Sequence, residues 1–167
     1  MLNDYIDIRK SEMIDKLIEL VRFPSIAMEN DGPMPCGVEV NNALEWYVKL
    51  ATEMGFKATN LGKCAEVVFG GEGKKPEKVY IANHLDVVPT GDGWTTDPYT
   101  VSIRDGRLYG RGVLDNKGPA LAVLYALKAI KDLGLYPKAE IHLIAGGCEE
   151  TSMDDLKQYV AKNGLPD

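Results

Sequence analysis

Two short, strongly apolar segments, residues 78–82 (KVYIA) and 140–145 (EIHLIA), lie on either side of a helix-patterned stretch, and each runs directly into polar residues. Apolar runs of this length with β-branched residues read as buried strands. Between them, residues 117–133 carry Ala122, Tyr125, Ala126 and Ala129 at helical spacing, with Gly134 beyond. Strands alternating with helices point to an α/β layer fold, a mostly parallel sheet flanked by helices. The remaining pattern fits. Residues 3–23 read as an amphipathic helix on Ile6, Met13, Ile14, Leu17, Leu20 and Val21, with Asn3 as cap and Pro24 as stop. Residues 29–37 form a turn-rich loop, and 40–54 a second helix ended by Gly55. Residues 65–69 read as a strand, 70–75 as a turn, and 101–104 and 107–109 as a hairpin about Asp105-Gly106. A last helix is expected over 152–162. There is no internal repeat or linker.

Composition narrows the partners. Asp and Glu number 25 against 19 Lys and Arg, a net charge of −6. That balance argues against nucleic acid, where affinity rests on cationic side chains, and against an anionic membrane surface. The longest apolar run, residues 119–127, falls well short of the ~20 residues a spanning helix needs. No apolar signal segment opens the chain, so a cytoplasmic location is expected. Cys36, Cys64 and Cys148 lie far apart without a C-x-x-C pair, which reads as thiols in a reducing compartment.

Polar residues that follow buried strands are where α/β sheets place their ligands. The first such group is His84-Leu85-Asp86. In an extended segment residues i and i+2 share a side, so Asp86 can orient the His84 imidazole while its other nitrogen takes a metal. Taken alone, this tripeptide also fits a surface histidine beside an acid. The second group runs from Gly110 through Asp115 to Pro119, with glycines on both sides of one carboxylate. It lacks the phosphate-binding glycine patterns, and helix capping is the plain alternative for Asp115. The third is Gly146-Gly147-Cys148-Glu149-Glu150. Adjacent carboxylates repel; a metal would offset this and leave one of them free as a base, although an acidic helix start would also account for them. His142, inside its apolar strand, reads as structural. There is no H-E-x-x-H or G-x-S-x-G. Imidazole and hard carboxylates together suit two zinc, manganese or cobalt ions bridged by a carboxylate.

Several ordered blocks carry a resemblance: His84-Leu85-Asp86-Val87-Val88-Pro89, Gly91-Asp92-Gly93-Trp94, the run from Tyr109 to Pro119, Glu149-Glu150, and Gly32-Pro33-Met34-Pro35. The chain resembles the dinuclear metallopeptidases that include PepV-like dipeptidases, carnosinases, aminoacylases and succinyl-diaminopimelate desuccinylases. It is most similar to the PepV-type branch. The resemblance implies a dipeptidase in which His84 binds one metal and Asp86 orients it. Asp115 would bridge both metals, Glu150 would bind the second, and Glu149 would be the general base. It also implies a cis peptide at Asp115-Asn116. Two positions depart from the pattern: Asn83, where relatives often have Gly, and Cys148, where many have Asp or Asn.

Members of that family are several hundred residues long and take further metal ligands from beyond the paired glutamates. The chain is therefore expected to be the N-terminal part of a catalytic domain, without the lid/dimerisation domain or the C-terminal part of the same enzyme. That would leave two protein ligands per metal against the usual three, and no turnover by the chain alone. Asp154, Asp155 or Asp167 are fallback ligands. The competing readings are an N-acyl amino-acid deacylase or desuccinylase of the same family, and a non-catalytic metal-binding fragment.

Overall fold

A computed structural model describes residues 2–164. Helix α1 (Leu2–Val21) and helix α2 (Val38–Glu53) come first, then β1 (Lys57–Asn60), β2 (Cys64–Gly70) and β3 (Lys78–His84). The short strands β4 (Ser102–Arg104) and β5 (Arg107–Tyr109) precede α3 (Lys117–Asp132), β6 (Glu140–Gly146) and α4 (Asp154–Asn163). Four strands form one sheet in the order β1-β2-β6-β3, and β4 pairs with β5 in a separate hairpin. Asp105 and Gly106 turn that hairpin at φ 50° and 71°, the left-handed conformation a two-residue loop requires.

The α/β class expected from the sequence is what forms, but the sheet is mixed rather than mostly parallel. Only β3 and β6 run parallel; β1–β2 and β2–β6 are antiparallel. The connections explain this. Residues 61–63 allow only a tight reversal between β1 and β2, whereas the long segment containing α3 lets β6 return beside β3 in the same direction. Strand β1 (KATN) escaped the sequence reading because it is a polar edge strand with no apolar alternation. Helix α1 starts at Leu2, one residue ahead of the cap expected at Asn3.

One face of the sheet carries the main core. Leu20 and Val21 of α1, Val40, Leu44 and Tyr47 of α2, and Leu121 and Leu124 of α3 close over Ala65, Val67, Leu143 and Ala145, all buried. Each buried Leu or Val among them contributes about 1.5–3 kcal/mol by leaving water. The other face is covered by α4, whose Tyr159 packs on Cys64 and Ile144. This two-sided burial is why residues 140–145 read as a continuous apolar run. His142 belongs to this second face. It lies 2.8 Å from Glu66 and 2.9 Å from Glu140, stacks on Tyr80, and stands apart from the polar residues at the strand ends.

The cysteine expectation needs correction. Cys36 and Cys148, 112 positions apart in sequence, are joined as a disulfide, and Cys64 is the buried free thiol. Cys36 closes the 29–37 loop and Cys148 follows β6. Their pairing is a product of tertiary folding that spacing along the chain does not reveal. Among the described residues no helix is long and apolar enough to cross a membrane.

Candidate active site

Because β3 and β6 run parallel, with His84 opposite Gly146, both strands deliver their following residues to the same edge of the sheet. His84 is the last residue of β3. The segment after it is drawn inward: Leu85, Asp86 and Val87 are all buried. The Leu85 amide donates to the Gly146 carbonyl at 2.8 Å, extending the pairing by one step. Ser25 then straps the segment from the opposite side. Its hydroxyl donates to the Leu85 carbonyl at 2.6 Å, and its own carbonyl accepts the Val87 amide at 3.0 Å.

His84 and Asp86 do share a side. The imidazole Nδ1 lies 3.0 Å from the Asp86 main-chain carbonyl and 3.4 Å from its carboxylate. Orientation therefore comes from the carbonyl first and the carboxylate second. The fully buried Asp86 carboxylate also binds the backbone beyond β6, where Oδ1 accepts the Glu149 amide at 3.2 Å and Oδ2 the Glu150 amide at 3.0 Å. One side chain thus ties the end of β3 to the turn after β6.

Asp115 sits in the turn ahead of α3, followed by a cis peptide to Asn116. Its exposed carboxylate lies 3.0 Å from His84 Nε2. Both imidazole nitrogens thus face oxygens that only accept, so both carry protons. Burial alone would push His84 down; hydrogen bonds and charge from Asp86, and then Asp115, outweigh it and hold the imidazole up at about 9. The Asn116 side-chain oxygen accepts the Asn83 amide at 2.8 Å, which places the departure at residue 83 in direct contact with this turn. Gly112, at φ 84°, admits the stem of Lys117, which a Cβ there would meet at 3.0 Å. Lys117 is fully buried and donates to the Phe23 carbonyl at 2.7 Å. Burial pushes it down to about 7, against the opposing charge of Asp86.

The paired glutamates complete the cluster. Glu149 lies 3.7 Å from His84 Nε2. Among the described residues, His84, Glu149 and Glu150 form a group whose ligand atoms all lie within 4.8 Å of one another. Glu150 is pushed up by burial; His84 opposes this, and the neighbouring carboxylates Asp115, Glu149 and Asp86 reinforce it. A cavity of about 240 Å³ opens here, lined by Asn83, His84, Asp115, Asn116, Glu149 and Met153. Concentrated carboxylate charge around one imidazole, open to a cavity, is a donor set that fits divalent cations.

All five residues singled out in the sequence (His84, Asp86, Asp115, Glu149 and Glu150) meet at this one edge. The fallback ligands do not join them. Asp154 pairs with Lys63 at 3.3 Å and Lys157 at 3.8 Å, and Asp155 is buried against backbone amides. Asp167 lies outside the described residues. Ser25 and Lys117 also brace the site. Lys117 lies in the run from Tyr109 to Pro119 that carries the resemblance, although the sequence assigns it no role, and nothing local marks Ser25. The Gly91-Asp92-Gly93-Trp94 block forms a loop in which Gly91 and Gly93 take positive φ. The Trp94 indole donates to the Thr90 carbonyl at 2.8 Å beneath the Arg111 guanidinium.

The model of peptidase family M20/M25/M40 matches residues 80–167. A putative dipeptidase, YtjP, of Bacillus subtilis is 37% identical over 160 residues, covering 95% of this chain and 34% of the relative. The Beta-Ala-Xaa dipeptidase of Lactobacillus delbrueckii subsp. lactis is 35% identical over 162 residues, with the same two coverages. The crystal structure of human carnosine dipeptidase 1 superposes with a TM-score of 0.81 at 29% identity, covering 97% of this chain and 38% of that one. The chain spans about a third of the length of the curated relatives it matches. On the family match and the strand-end cluster together, the chain belongs to peptidase family M20/M25/M40.

Proposed function

We propose that this chain supplies the N-terminal part of a catalytic domain that hydrolyses dipeptides at a dinuclear metal site. The observation that carries the reading is the convergence of His84, Glu149 and Glu150 ligand atoms within 4.8 Å, with Asp115 on His84 Nε2. His84, Asp115 and Glu150 would hold the ions, Asp115 standing between the two. Zinc suits this mixture of imidazole and carboxylate, and manganese or cobalt would also be accepted. When bound, such ions polarise the scissile carbonyl and lower the pKa of water.

The remaining work falls to the chain's own side chains. Asp86 keeps the Nδ1 proton of His84 engaged, so that Nε2 is the nitrogen turned toward the cavity. Glu149, with a half-buried carboxylate beside His84, takes a proton from the attacking water and passes it to the leaving amine. A substrate of dipeptide size is supported by the names of the two curated relatives, both dipeptidases. Within residues 2–164 each ion would have two protein ligands, so the chain by itself binds metal weakly and turns over little substrate.

The test compares Glu149→Gln with Asp115→Asn in the complete enzyme. Glu149→Gln keeps its metal and loses turnover by about 10²–10⁴-fold, the usual scale for a general base. Asp115→Asn loses metal together with activity. Equal metal content in the two variants overturns the assignment of base and bridge.

A further inference from the structure

We propose that Asp155 is a positioning residue for the Glu149–Glu150 pair, an inference that rests on the function proposed above. Three consecutive amides, those of residues 148, 149 and 150, donate to buried carboxylates. Asp86 takes the last two from the β3 side, and Asp155 Oδ2 takes the Cys148 amide at 3.0 Å from the α4 side. Asp155 is 1% exposed, and no ion pair to it is found among the described residues. Its other oxygen accepts the Leu156 amide at 2.8 Å. A buried carboxylate with only amide partners is costly to keep, so the hydrogen bonds it makes carry its purpose.

Helix capping does not account for it. The cap position of α4 is Met153, in left-handed conformation, and Asp155 lies two residues further on, reaching seven residues back along the chain. The fold makes room for that reach. A Cβ at position 146 would overlap Asp155 Oδ2, so glycine stands there to admit the carboxylate. Cys148 is also the pivot of the following turn, since its carbonyl accepts the amides of Thr151, Ser152 and Met153 at 3.4, 3.2 and 2.9 Å. Holding the Cys148 amide therefore anchors the Gly147–Cys148 peptide, the step that leads the chain into the turn carrying Glu149 and Glu150. Asp155 and Asp86 grip the turn from its two sides, and the two glutamates are aimed at His84 as a result.

Two readouts test this on the chain. The first needs no metal: hydrogen exchange of the amides of residues 148–150. Asp155→Ala speeds their exchange at least tenfold while β2–β6 amides keep their protection, and Asp155→Asn, which retains an acceptor oxygen, restores most of it. The second is Mn²⁺ affinity, which Asp155→Ala weakens by about 10–100-fold, the range for residues that orient ligands, and Asp155→Asn largely recovers. Tyr159→Leu, which loosens the packing of α4 on Cys64 and Ile144 away from the His84 cavity and without touching the Cys148 amide, serves as the structural control and leaves both readouts near wild type. Unchanged exchange at 148–150 in Asp155→Ala, or an equal effect from Tyr159→Leu, overturns the proposal. If the wild-type chain shows not even weak Mn²⁺ binding, that counts against the metal site proposed for these residues, and the exchange result still decides the role of Asp155.

Discussion

Replacing Asp86 with Asn probes the most connected side chain of the site. The carboxylate is fully buried and accepts two backbone amides, at 3.2 and 3.0 Å, beside a protonated His84. An amide has one acceptor oxygen, so one backbone bond is lost and an NH₂ donor is pushed against a backbone N–H. Hydrogen bonds to a charged partner contribute about 1.5–3 kcal/mol each, and removing a buried charge offsets part of the loss. A net destabilisation of about 2–4 kcal/mol follows, or roughly 5–15 °C in melting temperature for a domain of this size. Urea denaturation of the metal-free chain at pH 6 measures it. In parallel, NMR titration of His84 should show its pKa falling from about 9 toward the ordinary range near 6.5, because Asp86 supplies the strongest interactions that raise it. A loss under about 0.5 kcal/mol, the scale of a neutral surface change, refutes the reasoning.

Stability against pH carries two opposing contributions. His84, raised to about 9, stabilises the metal-free fold fully below its ordinary value near 6.5 and loses that stabilisation as pH rises through 9. Lys117, lowered to about 7, works the other way, so stability rises between pH 7 and its ordinary 10.5. Wild-type urea midpoints should therefore change little from pH 7 to 9, while those of His84→Asn climb; a climb of equal size in both argues against the His84 assignment. Purified chain with added zinc, manganese or cobalt should hydrolyse dipeptides far more slowly than a full-length relative; chelator-sensitive turnover at a relative's rate contradicts the two-ligand count.

Much of the site was legible because its residues are local in sequence. His84 and Asp86 share a side by strand periodicity alone, and the paired glutamates follow a strand whose apolar run marks its end. Parallel pairing of β3 with β6 then needs only α3 between them to bring these ends together. What stayed hidden depends on contacts distant in sequence. Ser25 meets Leu85 across sixty positions, Lys117 reaches Phe23, and Cys36 meets Cys148 across 112. Strand β1 has no apolar alternation to announce it; one short turn sets the antiparallel β1–β2 pair, but β2 meets β6 antiparallel only through long-range pairing. The two carboxylate roles of Asp86 were half visible: its proximity to His84 follows from spacing, its hold on the Glu149 and Glu150 amides does not.

The claim that His84, Asp115 and Glu150 hold metal is tested most directly by following the His84 ring nitrogens by NMR while the chain is titrated with Zn²⁺. The account predicts that Nδ1 stays protonated on Asp86, while Nε2 loses its proton from Asp115 and shifts to a metal-bound value. Asp115→Asn and Glu150→Gln should each move that shift to higher Zn²⁺ concentration, and Glu149→Gln should leave it in place. An Nε2 resonance unmoved at saturating Zn²⁺, or one that moves identically in Asp115→Asn and Glu150→Gln as in wild type, would contradict the metal site.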